Sequence, residues 1–303
     1  MTTCQSAPVV SIIIPTFNRG RFIASAIQSV LAQTYQTFEV IVVDDGSIDD
    51  TKSIVAEITD ERVHYIYQRN HGRSNARNHA LNVAKGKYIA FLDSDDLYMP
   101  NKLAMQIEYL ETHSEVGMIY TSAVCIDEDG NRLPHTYEAT VSGDIYKHIA
   151  FFTPVTITLP TVVVRKEVFA SVGGFDENMH RFEDTDMWRR ISKKYRIDAL
   201  PIYTCELRTH DDNVLLSQDP NKIAFGLKYY VGKIFREDGS FGTSLLRRGA
   251  ARIYFYYGGA LFKVPQWRKF GVRLLMSSFC YSPFGFMRSG LGQVRQSIVE
   301  FFR

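Results

Sequence analysis

A chain of 303 residues, 45% hydrophobic and 22% charged, has the composition of an ordinary globular protein, with a core for one large domain or two smaller ones. No run approaches the ~20 apolar residues that cross a bilayer, and the best candidate, Ile253 to Phe262, is far too short. The net charge of +2 conceals an asymmetry: residues 241–303 carry ten Lys and Arg against one acid, Glu300, a balance of +9, which leaves −7 for the rest. An acidic body followed by a basic, aromatic tail points to two regions with different tasks.

Val9 to Ile14 is an apolar, β-branched run closed by Pro15 and reads as a buried strand. After the polar loop Thr16 to Gly20, the positions Ile23, Ala26, Ile27, Val30 and Leu31 mark one helix face. Phe38 to Val43 is a second strand ending at Asp44-Asp45-Gly46-Ser47, and Asp49 or Asp50 caps a helix running through Ile58. Val63 to Tyr67 is a third strand, Ser74 to Ala84 a helix, and Tyr88 to Leu92 a fourth strand. Pro100 suits the first turn of a helix carrying Leu103, Ile107 and Leu110. This alternation predicts an α/β fold with a mainly parallel sheet covered on both faces. Beyond Gly117 to Ile126 the pattern loosens: Asp127 to Gly143 reads as a hairpin or loop excursion, Thr161 to Val164 as another strand, and the chain after about Asn213 as helical.

Polar loops follow the first, second and fourth strands, and in open α/β sheets that edge is where ligands bind. The last of them, Asp93-Ser94-Asp95-Asp96, places three carboxylates within four residues, a set suited to a hard divalent cation and through it to a phosphorylated substrate. Asp45 can accept from a base or ribose, Phe17 can flank a base, and Gly72, Arg73 and Arg77 can offer amides and guanidinium groups to phosphates. Taken singly, Asp-Gly-Ser is an ordinary turn and a lone Arg a solvated charge; three such loops on one edge argue jointly. There is neither a phosphate loop ending in Gly-Lys-Ser/Thr nor a Gly-x-Gly-x-x-Gly fingerprint.

Val10 to Arg19, Val42 to Ser47, Gly72 to Asn78, Asp93 to Asp96, Val172 to Asp176 and Phe182 to Asp186, in that order, resemble a family 2 glycosyltransferase across residues 8–215. The resemblance implies a GT-A-type nucleotide-sugar fold and an inverting mechanism in residues 1–215; residues 216–303, outside it, read from their own composition as a basic, aromatic helical C-terminal region. Carried over by position, Pro15, Phe17 and Asp45 hold the base and ribose, with Thr16, Arg19 and Asp44 in the same two loops. Asp93, beside Ser94, sits by the ribose or the metal, and Asp95 ligates Mg2+ or Mn2+, which neutralises charge on the leaving diphosphate. Asp184 matches the general base and Glu183 is the second candidate; without the resemblance, Glu183 to Asp186 is an acidic helix N-terminus. His210 either completes the metal site or is an isolated surface histidine. The Gln-x-x-Arg-Trp motif of processive members is absent, which implies transfer of one sugar at a time from a nucleoside diphosphate sugar to a saccharide or lipid-linked hydroxyl, in cell-surface polysaccharide or glycolipid synthesis.

Two alternatives stand beside this reading. A sugar nucleotidyltransferase shares the α/β plan but carries a glycine-rich, basic first loop in place of Pro15 to Arg19. A non-catalytic membrane-associated scaffold is opposed by the presence of Asp93, Asp95 and Asp184. In the tail, Tyr254 to Tyr257, Phe262, Trp267 and Phe270 lie among Arg247, Arg248, Arg252, Lys263, Arg268, Lys269 and Arg273. That mixture suits either peripheral contact with an anionic membrane or a helical subdomain with packed aromatics and solvated cations; no nucleic-acid-binding module is recognised. The four cysteines (Cys4, Cys125, Cys205, Cys280) lack metal-ligand spacing, and Met1 to Pro8 lacks the features of a signal peptide, so a reducing cytoplasm is expected.

Overall fold

The computed structural model describes residues 7–151, 157–210 and 219–287. Asp211, Asp212 and Asn213 of the late histidine motif, Cys4, and Glu300 of the tail lie outside the described residues. The chain divides into two compact units: Met1–Tyr146, Val155–Asn178 and Glu183–His210 form the first, and Lys147–Pro154, Met179–Phe182 and Asp211–Arg303 the second.

The first unit is built on one sheet. Strands β1 (Val10–Thr16), β2 (Phe38–Asp44), β3 (Val63–Tyr67) and β4 (Tyr88–Phe91) pair in parallel in the order β3-β2-β1-β4. The sheet continues through β8 (Val162–Arg165), β6 (Val116–Ile126) and β9 (Arg196–Arg208) to the two-residue β5 (Leu97–Tyr98). β8 is antiparallel to both β4 and β6, so β6 regains the direction of β4, and β9 runs parallel to β6. Helices α1 (Gly20–Leu31), α2 (Thr51–Ala56) and α4 (Lys102–Thr112) bury Ile23, Ile27, Val30, Val55, Leu103 and Ile107 with Ile12, Ile14, Val40 and Val42 of one sheet face. Each such side chain contributes about 1.5–3 kcal/mol. On the other face are α3 (Arg73–Val83), α6 (Lys166–Val172) and α7 (Glu183–Ser192), where Phe91 meets Phe169, Phe175 and Trp188 at ring-centroid distances of 6.2, 5.5 and 6.3 Å. Both faces are covered, as the alternation of elements requires.

Local differences from the sequence reading have plain causes. The Asp127–Gly143 excursion is a hairpin in which β7 (Arg132–Tyr137) returns along β6. The helix after Pro100 starts at Lys102, with Asn101 at its cap. Asp50 occupies the cap of α2 without a side-chain bond, and Asp49 supplies one instead, accepting from the Thr51 amide at 3.1 Å. Between them β6 and β9 skip register at Pro201-Ile202, since Thr121 pairs with Leu200 and Ser122 with Tyr203. A proline donates no ladder bond, so the strand bulges there.

In the second unit, α5 (Tyr146–Ala150) leads in, and α8 (Pro220–Glu237), α9 (Thr243–Phe262) and α10 (Arg268–Tyr281) supply the rest. Asp219 caps α8 by accepting from the Asn221 amide, with Pro220 at the first helical position. α9 and α10 cross at two glycines. A Cβ on Gly271 would lie 2.5 Å from the Phe262 nitrogen, and one on Gly258 3.0 Å from that of Leu275. Tyr254 stacks on Tyr281 and Ser278 donates to the Ala251 carbonyl, so part of the tail's aromatic content packs within the unit itself. Among the described residues, no helix is long and apolar enough to cross a membrane.

Candidate active site

Strand direction places the site. Thr16 pairs with Asp44 and Ile13 with Phe91, so the loops leaving β1, β2 and β4 emerge along one edge. β9 points the same way, with Arg208 opposite Ile126, and therefore delivers Arg208 and His210 to that edge across more than a hundred residues of sequence. The chain enters α7 at Glu183 and leaves it toward the start of β9, so the helix N-terminus and its acidic first turn face the same edge.

After β1, Pro15 and Thr16 are buried, Phe17 is 45% exposed, and Asn18 takes a left-handed φ of 51° that its short side chain tolerates. The Asn18 Oδ1 accepts from the Ile48 amide, and the Ser47 Oγ accepts from the Asn18 amide, which ties the first loop to the second. Asp44 has no exposed surface. Its oxygens accept from the Ser47 amide at 2.8 Å and the Tyr65 hydroxyl at 2.6 Å, and so form the turn. Asp45 accepts from the amides of His71 and Gly72 at 2.9 and 2.7 Å and from Gln68 Nε2 at 2.8 Å. The Gly72 amide, expected to face phosphate, is therefore bonded to Asp45. Gly72 itself, at φ 89°, turns the chain into α3.

Arg77 is the centre of the edge. Only 3% exposed, its guanidinium donates to Glu183 Oε1 at 3.1 Å and to Asp93 Oδ1 at 3.0 Å, and lies 5.4 Å from the Phe175 ring centroid. Arg73 reaches the same Glu183 oxygen at 3.6 Å from a largely exposed position. Burial alone would raise the Glu183 carboxyl, but the Arg73 and Arg77 charges outweigh it and hold the group below its ordinary range. Asp184 is the opposite case: burial, and then the adjacent Glu183 charge, push it up to about 6. Its Oδ1 accepts from the Thr185 amide at 2.6 Å.

Asp95 turns away from Asp93. Its Oδ2 lies 2.8 Å from His210 Nε2 and 3.7 Å from Arg19 Nε. His210 is buried and stacked on Phe22 at 5.5 Å, which corrects the reading of it as an isolated surface histidine. A carboxylate oxygen and an imidazole nitrogen in contact are donors that suit Mn2+ and, through the oxygen, Mg2+. Asp93, expected as a further ligand, is drawn to Arg77 instead, and among the described residues no group of three His, Cys, Asp or Glu is arranged to hold a metal ion. Ser94 is buried in the turn. Asp96 accepts from the Arg208 amide at 2.8 Å and so anchors the end of β9.

Two parts of the edge went unread in the sequence. Arg208 donates to the Asp95, Asp127 and Glu128 carbonyls and stacks over Phe22, stapling the acidic turn to the hairpin. Asn78 exchanges bonds with the Phe175 backbone, and Glu177 accepts from Asn75 and Asn78, so the Gly173-Gly174 turn is clamped to α3. A Cβ on Gly174 would stand 2.5 Å from Asn78 Oδ1, which explains that glycine. Thr16 Oγ1, Ser74 Oγ and Arg77 Nε are three of the seven buried side-chain atoms without a hydrogen-bond partner among the described residues.

The architecture defines the class first: a GT-A-type fold, with carboxylates and arginines gathered at the carboxyl ends of its strands. The structure is similar to that of S. aureus TarS 1–349 in complex with UDP-GlcNAc, with a TM-score of 0.70 at 20% identity, covering 92% of this chain and 83% of that one. The model of Glycosyl transferase family 2 matches residues 11–173, and the chain belongs to that family. It is 36% identical over 219 residues to an uncharacterized glycosyltransferase of Rickettsia bellii, covering 72% of this chain and 31% of that protein. Thus the chain spans about a third of that relative's length. It is 34% identical over 193 residues to the putative teichuronic acid biosynthesis glycosyltransferase TuaG of Bacillus subtilis, covering 62% of this chain and 73% of TuaG.

Proposed function

We propose that the chain is a glycosyltransferase that moves one sugar from a nucleoside diphosphate sugar to a hydroxyl of a saccharide or lipid-linked acceptor, with inversion, in the synthesis of a cell-surface polymer or glycolipid. The observation that carries this reading is the split between two adjacent carboxyls. Glu183 is buried, paired to Arg77 and held ionised, while Asp184 is only partly buried and has a proton affinity near neutrality. A base works best with a pKa close to the operating pH, so Asp184 is the proton acceptor and Glu183 an electrostatic support. Asp184 takes the acceptor hydroxyl's proton as that oxygen forms its bond to the anomeric carbon. The bond from that carbon to the diphosphate oxygen breaks on the opposite face, and the electron pair leaves with the nucleoside diphosphate.

Phe17 flanks the base, Asp45 fixes the loop that receives base and ribose, and Arg73, with Arg19, supplies positive charge to the diphosphate. Arg77, through Asp93, holds the acidic turn in place. Asp95 and His210 would hold Mg2+ or Mn2+, which when bound supplies countercharge to the leaving diphosphate. The name of TuaG, a putative teichuronic acid biosynthesis glycosyltransferase, supports a saccharide acceptor. The test is a thermal-shift screen of nucleotide sugars with and without Mn2+, followed by NMR of the product's anomeric centre. One donor should raise the melting temperature, Asp95→Asn should remove the Mn2+-dependent part of that rise, and the product should carry a single inverted sugar. A retained anomeric configuration, or transfer of a nucleotidyl group, would overturn the assignment.

A further inference from the structure

The outer face of α10 has a composition that the transfer reaction does not use. Its inner side is set by Gly271, Leu274 and Ser278, all buried. Its outer side carries Val272, Met276 and Phe279, spaced four and three residues apart and therefore on one stripe, with exposures of 41%, 64% and 51%. The stripe extends past the helix end. Phe286 makes edge contacts with Phe279 and with Phe255 of α9 at 5.8 and 5.2 Å, and its neighbours Phe284 and Met287 are exposed. At the other end stand Arg268, Lys269 and Arg273, with the Arg268 and Arg273 guanidinium groups over the rings of Phe262 and Phe270.

Charge selects the occupant. Between Phe241 and Met287 there are seven Lys and Arg and no Asp or Glu. A protein partner of mixed charge would be met by a rim of mixed charge. Apolar side chains of this size beside Arg268, Lys269 and Arg273, with no acid on α9 or α10, instead complement a surface that is negative outside and apolar beneath, which is an anionic bilayer. We propose that this face of α10 docks on an anionic lipid surface, with Met276 and Phe279 entering the boundary of the acyl chains and Arg268, Lys269 and Arg273 among the headgroups. This goes beyond the transfer chemistry, since it concerns where the enzyme works.

The full chain should sediment with vesicles of phosphatidylcholine mixed with phosphatidylglycerol, should fail to sediment with phosphatidylcholine alone, and should be released by salt. Replacing Arg268, Lys269 and Arg273 by Gln should weaken binding on the order of a hundredfold, as expected for three cations at an anionic surface. Met276→Gln with Phe279→Ser should weaken it at least about tenfold while cooperative unfolding is retained, since Met276 is exposed and Phe279 gives up only its edge contact with Phe286. Lys52→Gln with Lys85→Gln, which removes exposed cations from the first unit, should leave binding intact. Absence of binding to the anionic vesicles would overturn the proposal, as would an equal loss in that last variant. So would a self-associated protein that the Met276/Phe279 variant returns to monomer while vesicles remain unbound.

Discussion

Arg77→Met is the sharpest probe of how the edge is held. Methionine keeps an apolar stem over Phe175 but removes both ion pairs, leaving the Glu183 carboxylate, itself 5% exposed, against a buried gap. Breaking a buried pair by deleting one partner costs ~3–5 kcal/mol. Arg73 still reaches Glu183 at 3.6 Å, but from the solvent side, so the lower end of that range, about 3 kcal/mol, is expected. In the native protein Glu183 is held below its ordinary range, and its contribution is present above the unfolded value of ~4.3 and lost as pH falls through the lower folded value. In the variant Arg77's share of that lowering is lost while Arg73's remains, so the folded value rises and the ionised carboxylate stabilises the fold less. The difference between the two proteins is therefore full in mild base, where Glu183 is ionised in both, and shrinks below about pH 4 as the carboxyl is protonated. Urea unfolding followed by tryptophan fluorescence in a Trp267→Phe background, which leaves Trp188 buried in the first unit as the one reporter, would show it. Adding Glu183→Gln should recover most of the loss. A variant within ~1 kcal/mol of the native protein in mild base, or an equal penalty at both pH values, would refute the bridging role.

Two further outcomes follow from the buried charges. Because the Asp184 carboxyl is pushed up to about 6, kcat/KM for transfer should fall about tenfold for each pH unit below that value and level off above it; a profile flat down to pH 5 would exclude Asp184 as base. Lys102 is fully buried on α4, with Nζ donating to Gln106 and lying 4.7 Å from the Tyr98 ring centroid, and burial lowers it to about 8. The unfolded lysine holds its proton up to ~10.4, so stability should rise with pH between those values, and Lys102→Met should add roughly 2–3 kcal/mol at pH 7 and little at pH 10, measured by urea unfolding across pH. A variant no more stable than the parent at pH 7 would contradict this.

What the sequence revealed was local. The apolar run before Asp93 and the acidic turn after it are neighbours in the chain, so strand and carboxylates were legible together, as were the helix faces of α1 and α4. Pairing across the sheet was not. His210 meets Asp95 only because β9 runs parallel to β6, and β9 itself escapes a periodicity reading because Pro201 interrupts it and breaks its register. Asp93 and Asp95 looked like one ligand pair by spacing, yet they diverge, one toward Arg77 and the other toward His210. The competition between partners that decides such a choice is a property of the folded edge. Asp44 is a like case: an acid beside Asp45 in sequence, it is spent on the turn because Tyr65 of the next strand reaches it.

The central claim is that Asp184 accepts the proton at a nucleotide-sugar site, and Asp184→Asn tests it most directly. The substitution keeps size and the bond from Thr185 while removing the base. Donor binding by thermal shift should be unchanged, and single-turnover transfer should fall by about 10²–10⁴-fold, the usual contribution of a general base. Full transfer by the Asp184→Asn protein would contradict the account.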